Sequence, residues 1–204
     1  KLMGQGYGRF PVEFGRLVHL RRVDLDGTGL TGTIPEGVFS NWTELRHLQL
    51  VKCNLSGPIP PDISSLVHLK RLRLSFNHFS GAIPEAFYGL TALTYLNLMG
   101  SRRLWPFDRR FFALKRLEEL AISQSSPMQN SSFFEGVSTL TRLSTLQLRG
   151  PDNIFRPIPS GISSLARLRV LRVDGDTLSG ELPEELFNLV RLKELSLRSH
   201  PKLM

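Results

Sequence analysis

The chain has 204 residues, 41% of them hydrophobic, and carries 26 Lys and Arg against 18 Asp and Glu, a formal charge of +8. That length suits one domain, with no linker or low-complexity tract and no run of about 18 apolar residues to cross a membrane. The single cysteine, Cys53, excludes an internal disulfide framework.

In chain order, an L-x-x-L-x-L triplet returns along nearly the whole sequence. Its first leucines, the anchors, are Leu20, Leu45, Leu69, Leu93, Leu117, Leu143, Leu168 and Leu192, separated by 24 to 26 residues. Three residues after each anchor stands Val23, Leu48, Leu72, Leu96, Leu120, Leu146, Leu171 or Leu195. A unit of one short strand plus a return path cannot bury its apolar edge alone, so neighbours must stack into a solenoid. The period predicts eight parallel strands, each starting near its anchor.

A second motif precedes each following anchor: Leu30-Thr31-Gly32-Thr33-Ile34-Pro35, Leu55-Ser56-Gly57-Pro58-Ile59-Pro60, Phe79-Ser80-Gly81-Ala82-Ile83-Pro84 and Leu178-Ser179-Gly180-Glu181-Leu182-Pro183, with a worn copy over 154–159. This L-x-G-x-I-P pattern resembles the plant-type leucine-rich repeat of receptor-kinase ectodomains, receptor-like proteins and polygalacturonase-inhibitor proteins. The resemblance implies an α/β repeat fold: a right-handed leucine-rich-repeat solenoid with a parallel concave sheet, a second short strand beside it, and short helical turns on the convex side. Residues 1–204 form one such domain of about eight repeats. Proline is expected at the first helical position of each turn, followed by an acid or small polar residue (Glu36, Asp62, Glu85, Ser160, Glu184) at its positive end. Apolar pairs such as Phe39 and Trp42, Ile63 and Leu66, Phe87 and Leu90, and Phe187 and Leu189 are expected to face inward.

Gly8-Arg9-Phe10-Pro11 aligns with the later motif, so the sequence opens inside a repeat, and it stops at Met204 inside another. No charged-then-apolar signal segment leads it. The expectation is a segment of a longer solenoid, with adjoining repeats or partners covering both ends. Cys53 falls in the slot that Asn77 and Asp176 fill in other repeats, and a structural role in a polar inner ladder is expected of it. The missing disulfides suit a reducing compartment or a chain without terminal caps. Asn41, Asn54 and Asn130 open N-x-S/T sequons, with Asn130 the better acceptor because it lies in a non-consensus insertion.

Catalytic signals fail on context. Gly27-Thr28-Gly29-Leu30-Thr31-Gly32 spells G-x-G-x-x-G, but the repeat and Pro35 stand where a dinucleotide site needs a long helix. Asp24, Asp26, Asp174 and Asp176 lack a calcium loop, the five histidines lack zinc spacing, and no nucleophile stands with a base. A non-enzyme without cofactor or metal is expected.

Alternation places the residues two, four and six after each anchor on the concave face. Arg22, His47, Arg71, Tyr95 and Glu119 then form one column, and Arg73, Asn97 and Met99 lie beside it. The early face is expected to be basic and the centre neutral, with Tyr95 as contact aromatic. Late in the face, Arg149, Asp174 and Arg198 are expected to neutralise one another. Cations flank the anchors on the entrance edge, among them Arg142, Arg167, Arg169, Arg191 and Lys193. That edge reads as a solvated rim, or as a seat for an acidic protein, a cell-wall polyanion or RNA; the lack of an aromatic series argues against nucleic acid. Repeats four and five are irregular. There Trp105 and the phenylalanines fill core gaps, or Trp105 with Arg102, Arg103, Arg109 and Arg110 forms a docking knob. Together these features point to an extracellular or cell-surface module that binds a protein or peptide. The alternative is an intracellular scaffold subunit that docks acidic protein or RNA by its basic edge.

Overall fold

The computed structural model describes residues 8–101, 103–104, 109–123, 132–150, 158–174, 179–198 and 202–203. Arg102, Trp105, Asn130 and Asp176 lie outside them. The concave strands are Arg22–Asp24, His47–Gln49, Arg71–Arg73, Tyr95–Leu98, Glu119–Ser123, Thr145–Arg149, Val170–Asp174 and Glu194–Arg198. They form one eight-stranded sheet in sequence order, every neighbouring pair parallel. Each strand starts two residues after its anchor. Short flanking strands, Ser56–Gly57, His78–Gly81 and Arg103–Leu104, build a second parallel sheet, and Ser179–Gly180 pairs with Lys202–Leu203.

Leucine at the anchor and three residues later turns inward. Leu45, Leu69, Leu93, Leu117, Leu143 and Leu168 are fully buried, as are Leu48, Leu72, Leu96, Leu120, Leu146 and Leu171. Burying one such side chain contributes roughly 1.5–3 kcal/mol relative to leaving it exposed. The last strand differs: Leu195 is 44% exposed, because no strand among the described residues packs on its outer side.

The convex turns are 3-10 segments, such as Pro61–Ser65, Glu85–Gly89, Ser160–Ser164 and Glu184–Asn188. The prolines sit differently from the expectation. Pro60, Pro84, Pro159 and Pro183 occupy the N-cap in extended backbone, one residue before the turn. Their carbonyls accept the first bonds of the turn, from the Ile63, Phe87, Ile162 and Leu186 N–H groups at 2.9–3.1 Å. Asp62 serves a neighbour: its carboxylate accepts from the Phe39 N–H at 2.8 Å, capping the preceding repeat's turn. Phe187 is 72% exposed, and Leu186 takes the buried place expected of it. The spacing of the earlier repeats, six residues before the anchor, selects Leu186.

In the fifth unit an α-helix, Ser132–Ser138, replaces the 3-10 turn. Phe133 holds the isoleucine position and is buried, its ring 5.8 Å from that of Phe112, which stands edge-on to Phe111. The core-filling reading of Phe133 therefore holds. A Cβ on Gly136 would come within 2.0 Å of the Phe112 ring, so the helix approaches its neighbour only because this residue lacks one. The repeat glycine has a different reason: Gly32, Gly57 and Gly81 all take left-handed backbone with φ of 76–87°, which costs other residues strain. Gly27 and Gly29 are left-handed as well and open no helix, which disposes of the dinucleotide motif.

A polar ladder runs inside the turn that follows each of the first four concave strands. Thr28, Cys53, Asn77 and Ser101 occupy the same slot and are all buried. The Cys53 thiol donates to the Leu25 carbonyl at 3.0 Å, and the Ser101 hydroxyl to the Leu74 carbonyl at 3.4 Å. The Asn77 amide donates to the Leu50 and Leu74 carbonyls, and its oxygen accepts from the Cys53 and Leu55 N–H groups at 3.1 and 3.0 Å. Replacing Asn77 with Ala orphans those two buried N–H groups. It should cost about 2–4 kcal/mol in urea unfolding, and a loss below about 1 kcal/mol would remove the ladder from this role. Burial raises the Cys53 thiol above its ordinary pKa, so a bulky thiol reagent should label the protein at the rate of unfolding. Rapid labelling of the native state would contradict the buried slot.

Candidate functional site

The columns expected on the concave face are in register. Arg22, His47, Arg71, Tyr95, Glu119, Thr145, Val170 and Glu194 are successive partners across the sheet. Not every residue on that face is available. Val51, Ser75 and Ser123, six after their anchors, are buried, because the chain is already turning into the solenoid there. The Ser123 hydroxyl accepts the Gly100 N–H at 2.7 Å.

The early face is less basic than its composition implies. Arg22 pairs with Asp24 at 3.2 Å, and Arg73 bonds the Gln49 carbonyl oxygen at 3.0 Å and lies 3.8 Å from Asp26. Asp26 also accepts the Val51 N–H at 2.7 Å. The two acids are thus engaged within the sheet face rather than simply solvated. Burial, then Arg22, then Arg71 push His47 below the ordinary imidazole pKa, so it stays neutral near pH 7. Arg71 remains, with its guanidinium 4.2 Å from the Tyr95 ring centroid. Cation–π stacking of this kind holds both side chains upright at the centre of the sheet. Asn97 and Met99 sit beside them, half-buried, and the Asn97 side chain accepts the Met99 N–H at 3.0 Å.

The late face pairs differently from the expectation. Arg149, Asp174 and Arg198 are aligned, yet among the described residues Asp174 forms no salt bridge, and one of its carboxylate oxygens is buried without a hydrogen bond. The ion pair that forms is Arg172 with Glu194, bidentate at 2.5 and 2.9 Å. It lies one step diagonally across the strands, where the long guanidinium reaches both carboxylate oxygens. It holds Glu194 below the usual carboxylate range.

The entrance rim divides in two. In the early repeats Glu44 bonds Arg21 at 2.9 Å and lies 3.9 Å from His19, and Arg21 lowers its pKa. In the later repeats Arg142, Arg167, Arg169, Arg191 and Lys193 are exposed. Among the described residues none of them forms a salt bridge. Of the proposed knob, Arg103 lies exposed in the flanking sheet and Arg109 is exposed. Arg110 is occupied, paired with Glu85 and 5.5 Å from the Tyr88 ring. Asn41 and Asn54 are exposed; the Asn41 amide donates to the Gly15 carbonyl at 3.0 Å.

One feature escaped the sequence reading. Phe76 is 53% exposed with φ of 57°, and the Lys52 ammonium stands 5.7 Å from its ring. Both occupy the left-handed position that Gly27 and Gly100 fill in neighbouring repeats, and that shared offset was the available signal. No group of metal-ligating side chains is found among the described residues, and no described helix is long and apolar enough to cross a membrane.

This geometry, a one-sheet solenoid with leucine anchors and a flanking second sheet, is the leucine-rich-repeat fold. The Leucine Rich Repeat family model matches residues 44–66 and 68–90. Residues within the chain are 42% identical over 52 positions to Receptor-like protein 52 of Arabidopsis thaliana, covering 26% of this chain and 6% of that protein. The PEPR1–AtPEP1 complex contains a chain that superposes with a TM-score of 0.78 at 27% identity, over 96% of this chain and 27% of its own. The Arabidopsis receptor kinase HAESA, in complex with the peptide hormone IDA and the co-receptor SERK1, gives 0.75 at 25% identity, over 97% of this chain and 32% of its own. The chain therefore has the leucine-rich-repeat fold and is similar to plant receptor-like proteins and receptor-kinase ectodomains, and it spans less than a third of the length of these relatives.

The depressed His47 pKa gives a signed expectation. Charging His47 is harder in the folded state, so its contribution to stability is complete above the ordinary value of 6.5 and is lost as pH falls from there through the folded pKa. In an NMR titration its midpoint should lie below 6.5, and Arg71→Gln should move it upward by removing one repelling charge. A midpoint at or above 6.5 in the native protein would contradict the packing of this column.

Proposed function

We propose that this protein is a non-catalytic recognition module of the plant receptor-ectodomain type, whose concave face binds a protein or peptide outside the cell. One observation carries this reading. The regular parallel sheet holds Tyr95 at its centre, stacked by Arg71 at 4.2 Å, with half-exposed Asn97 and Met99 alongside. An ordered aromatic next to adaptable apolar and amide side chains is the composition of an interface hot spot, because it offers contact area at little entropic cost. The receptor structures that share the fold are complexes with a peptide hormone in the case of HAESA and with AtPEP1 in the case of PEPR1. The same kinship supports a cell-surface location, with Asn54 and Asn130 as glycan acceptors. It does not favour the intracellular scaffold.

Selection of extended peptides from a random library against the native protein tests the reading. Enriched peptides should lose about 1–2 kcal/mol of affinity against Tyr95→Ala, mainly through faster dissociation. Arg71→Gln and Met99→Ala should weaken them less, and Phe187→Ala should have no effect. Peptides that bind the native protein and all the concave variants equally would place recognition elsewhere.

A further inference from the structure

Exposed cations flank the anchors along the whole entrance rim, Arg46 and Lys70 among them, and the later part carries the longest run. Arg116, Arg142, Arg167 and Arg191 each stand three residues before strand residues that pair in register, Glu119, Thr145, Val170 and Glu194. They therefore form one column, with rows about 4.8 Å apart. Arg169 and Lys193 extend it in the adjacent column, where the Arg169 carbonyl accepts the Lys193 N–H at 2.8 Å. All six are exposed, and among the described residues none forms a salt bridge, although Glu118 stands exposed on the same rim in the column of Arg169 and Lys193. Like charges on neighbouring strands repel, so the arrangement costs stability in the free protein. Elsewhere the same chain supplies an acid for such arginines: Glu44 for Arg21, Glu85 for Arg110, Glu194 for Arg172.

A second observation shapes the partner. Val190, directly before Arg191, is 89% exposed, in a position that every earlier repeat also leaves exposed. An apolar side chain beside a row of arginines matches the anatomy of a protein interface, in which an apolar centre is ringed by charge. The planar guanidinium takes a carboxylate through two parallel hydrogen bonds. A polyuronate chain would use the cations and leave the apolar group idle. Nucleic acid would need an aromatic series, and the rim positions flanking the anchors hold no aromatic.

We propose that this rim is a second interaction surface, separate from the concave face, and that it docks an acidic protein surface whose carboxylates surround an apolar spot seated on Val190.

The test measures binding of three synthetic probes to the whole chain: a peptide with four glutamates around two leucines, a poly-glutamate fragment of equal charge, and a polygalacturonate oligomer of equal charge. The leucine-bearing peptide should bind at least about tenfold tighter than either homopolymer, the equivalent of one well-seated apolar contact. Its binding should weaken sharply between about 0.1 and about 1 M salt, as the screening length falls from about 10 to about 3 Å. The combined variant Arg142→Gln/Arg167→Gln/Arg191→Gln, with an unchanged circular dichroism spectrum, should lose it. Val190→Ser should reduce it to the level of poly-glutamate. Tyr95→Ala should leave it intact, which separates this proposal from the concave-face reading. Absence of peptide binding, or binding that the arginine variant retains, would overturn the proposal. Polygalacturonate bound as tightly as the peptide, with Val190→Ser silent, would replace it with a polyanion site.

Discussion

Every turn of this solenoid must bring the backbone off the end of a concave strand and fold it inward, where neither sheet can take its N–H and C=O groups. Buried polar backbone left without a partner is expensive. One side chain per repeat meets that demand in the turns after the first four strands: Thr28, Cys53, Asn77 and Ser101, all in the same slot. Asn77 does most, giving its amide hydrogens to two carbonyls and taking two N–H groups from the repeat before. Cys53 and Ser101 make do with a single reach to the preceding repeat. Three chemistries fill the slot because what it requires is a short polar group that can donate to the carbonyl five residues after an anchor. Once that bond is made, the spacing between neighbouring coils is set.

The register of the concave face follows from that spacing, and with it the fate of the charges. Side chains from different repeats stand near enough across the sheet to pair, so acids and bases scattered through the sequence meet as Arg73 with Asp26, across one intervening strand, and Arg172 with Glu194 on adjacent strands. What remains at the centre is Arg71 against Tyr95. The face is thus a patterned surface with a neutral middle, and His47 stays uncharged between two arginines. On the rim the same register has the opposite effect: in the later repeats it stacks arginine on arginine, against one acid, Glu118, in the positions flanking the anchors.

The irregular fifth unit shows how far the repeat can bend without losing the sheet. An α-helix takes the place of a 3-10 turn, Phe133 stands in for isoleucine, and Gly136 lets the helix close on Phe112. The strands on either side stay in register across five residues.

The strand positions, the parallel order, the columns and the buried role of Cys53 were all legible in the sequence. Each follows from a strict period combined with the two-residue alternation of a strand, which leave one consistent placement for the leucines. The sequence also located the cationic rim, since flanking an anchor is a local property. It did not reveal which charges cancel. Asp26 meets Arg73, and Arg172 chooses Glu194 over an acid closer in sequence, because pairing depends on side-chain reach across strands more than 20 residues apart in the chain. Nor could the period alone show that the prolines stand before the turns, or that Phe76 is held out toward Lys52. Those outcomes turn on backbone angles at single residues and on what the adjacent coil leaves uncovered, and only the stacked structure decides them.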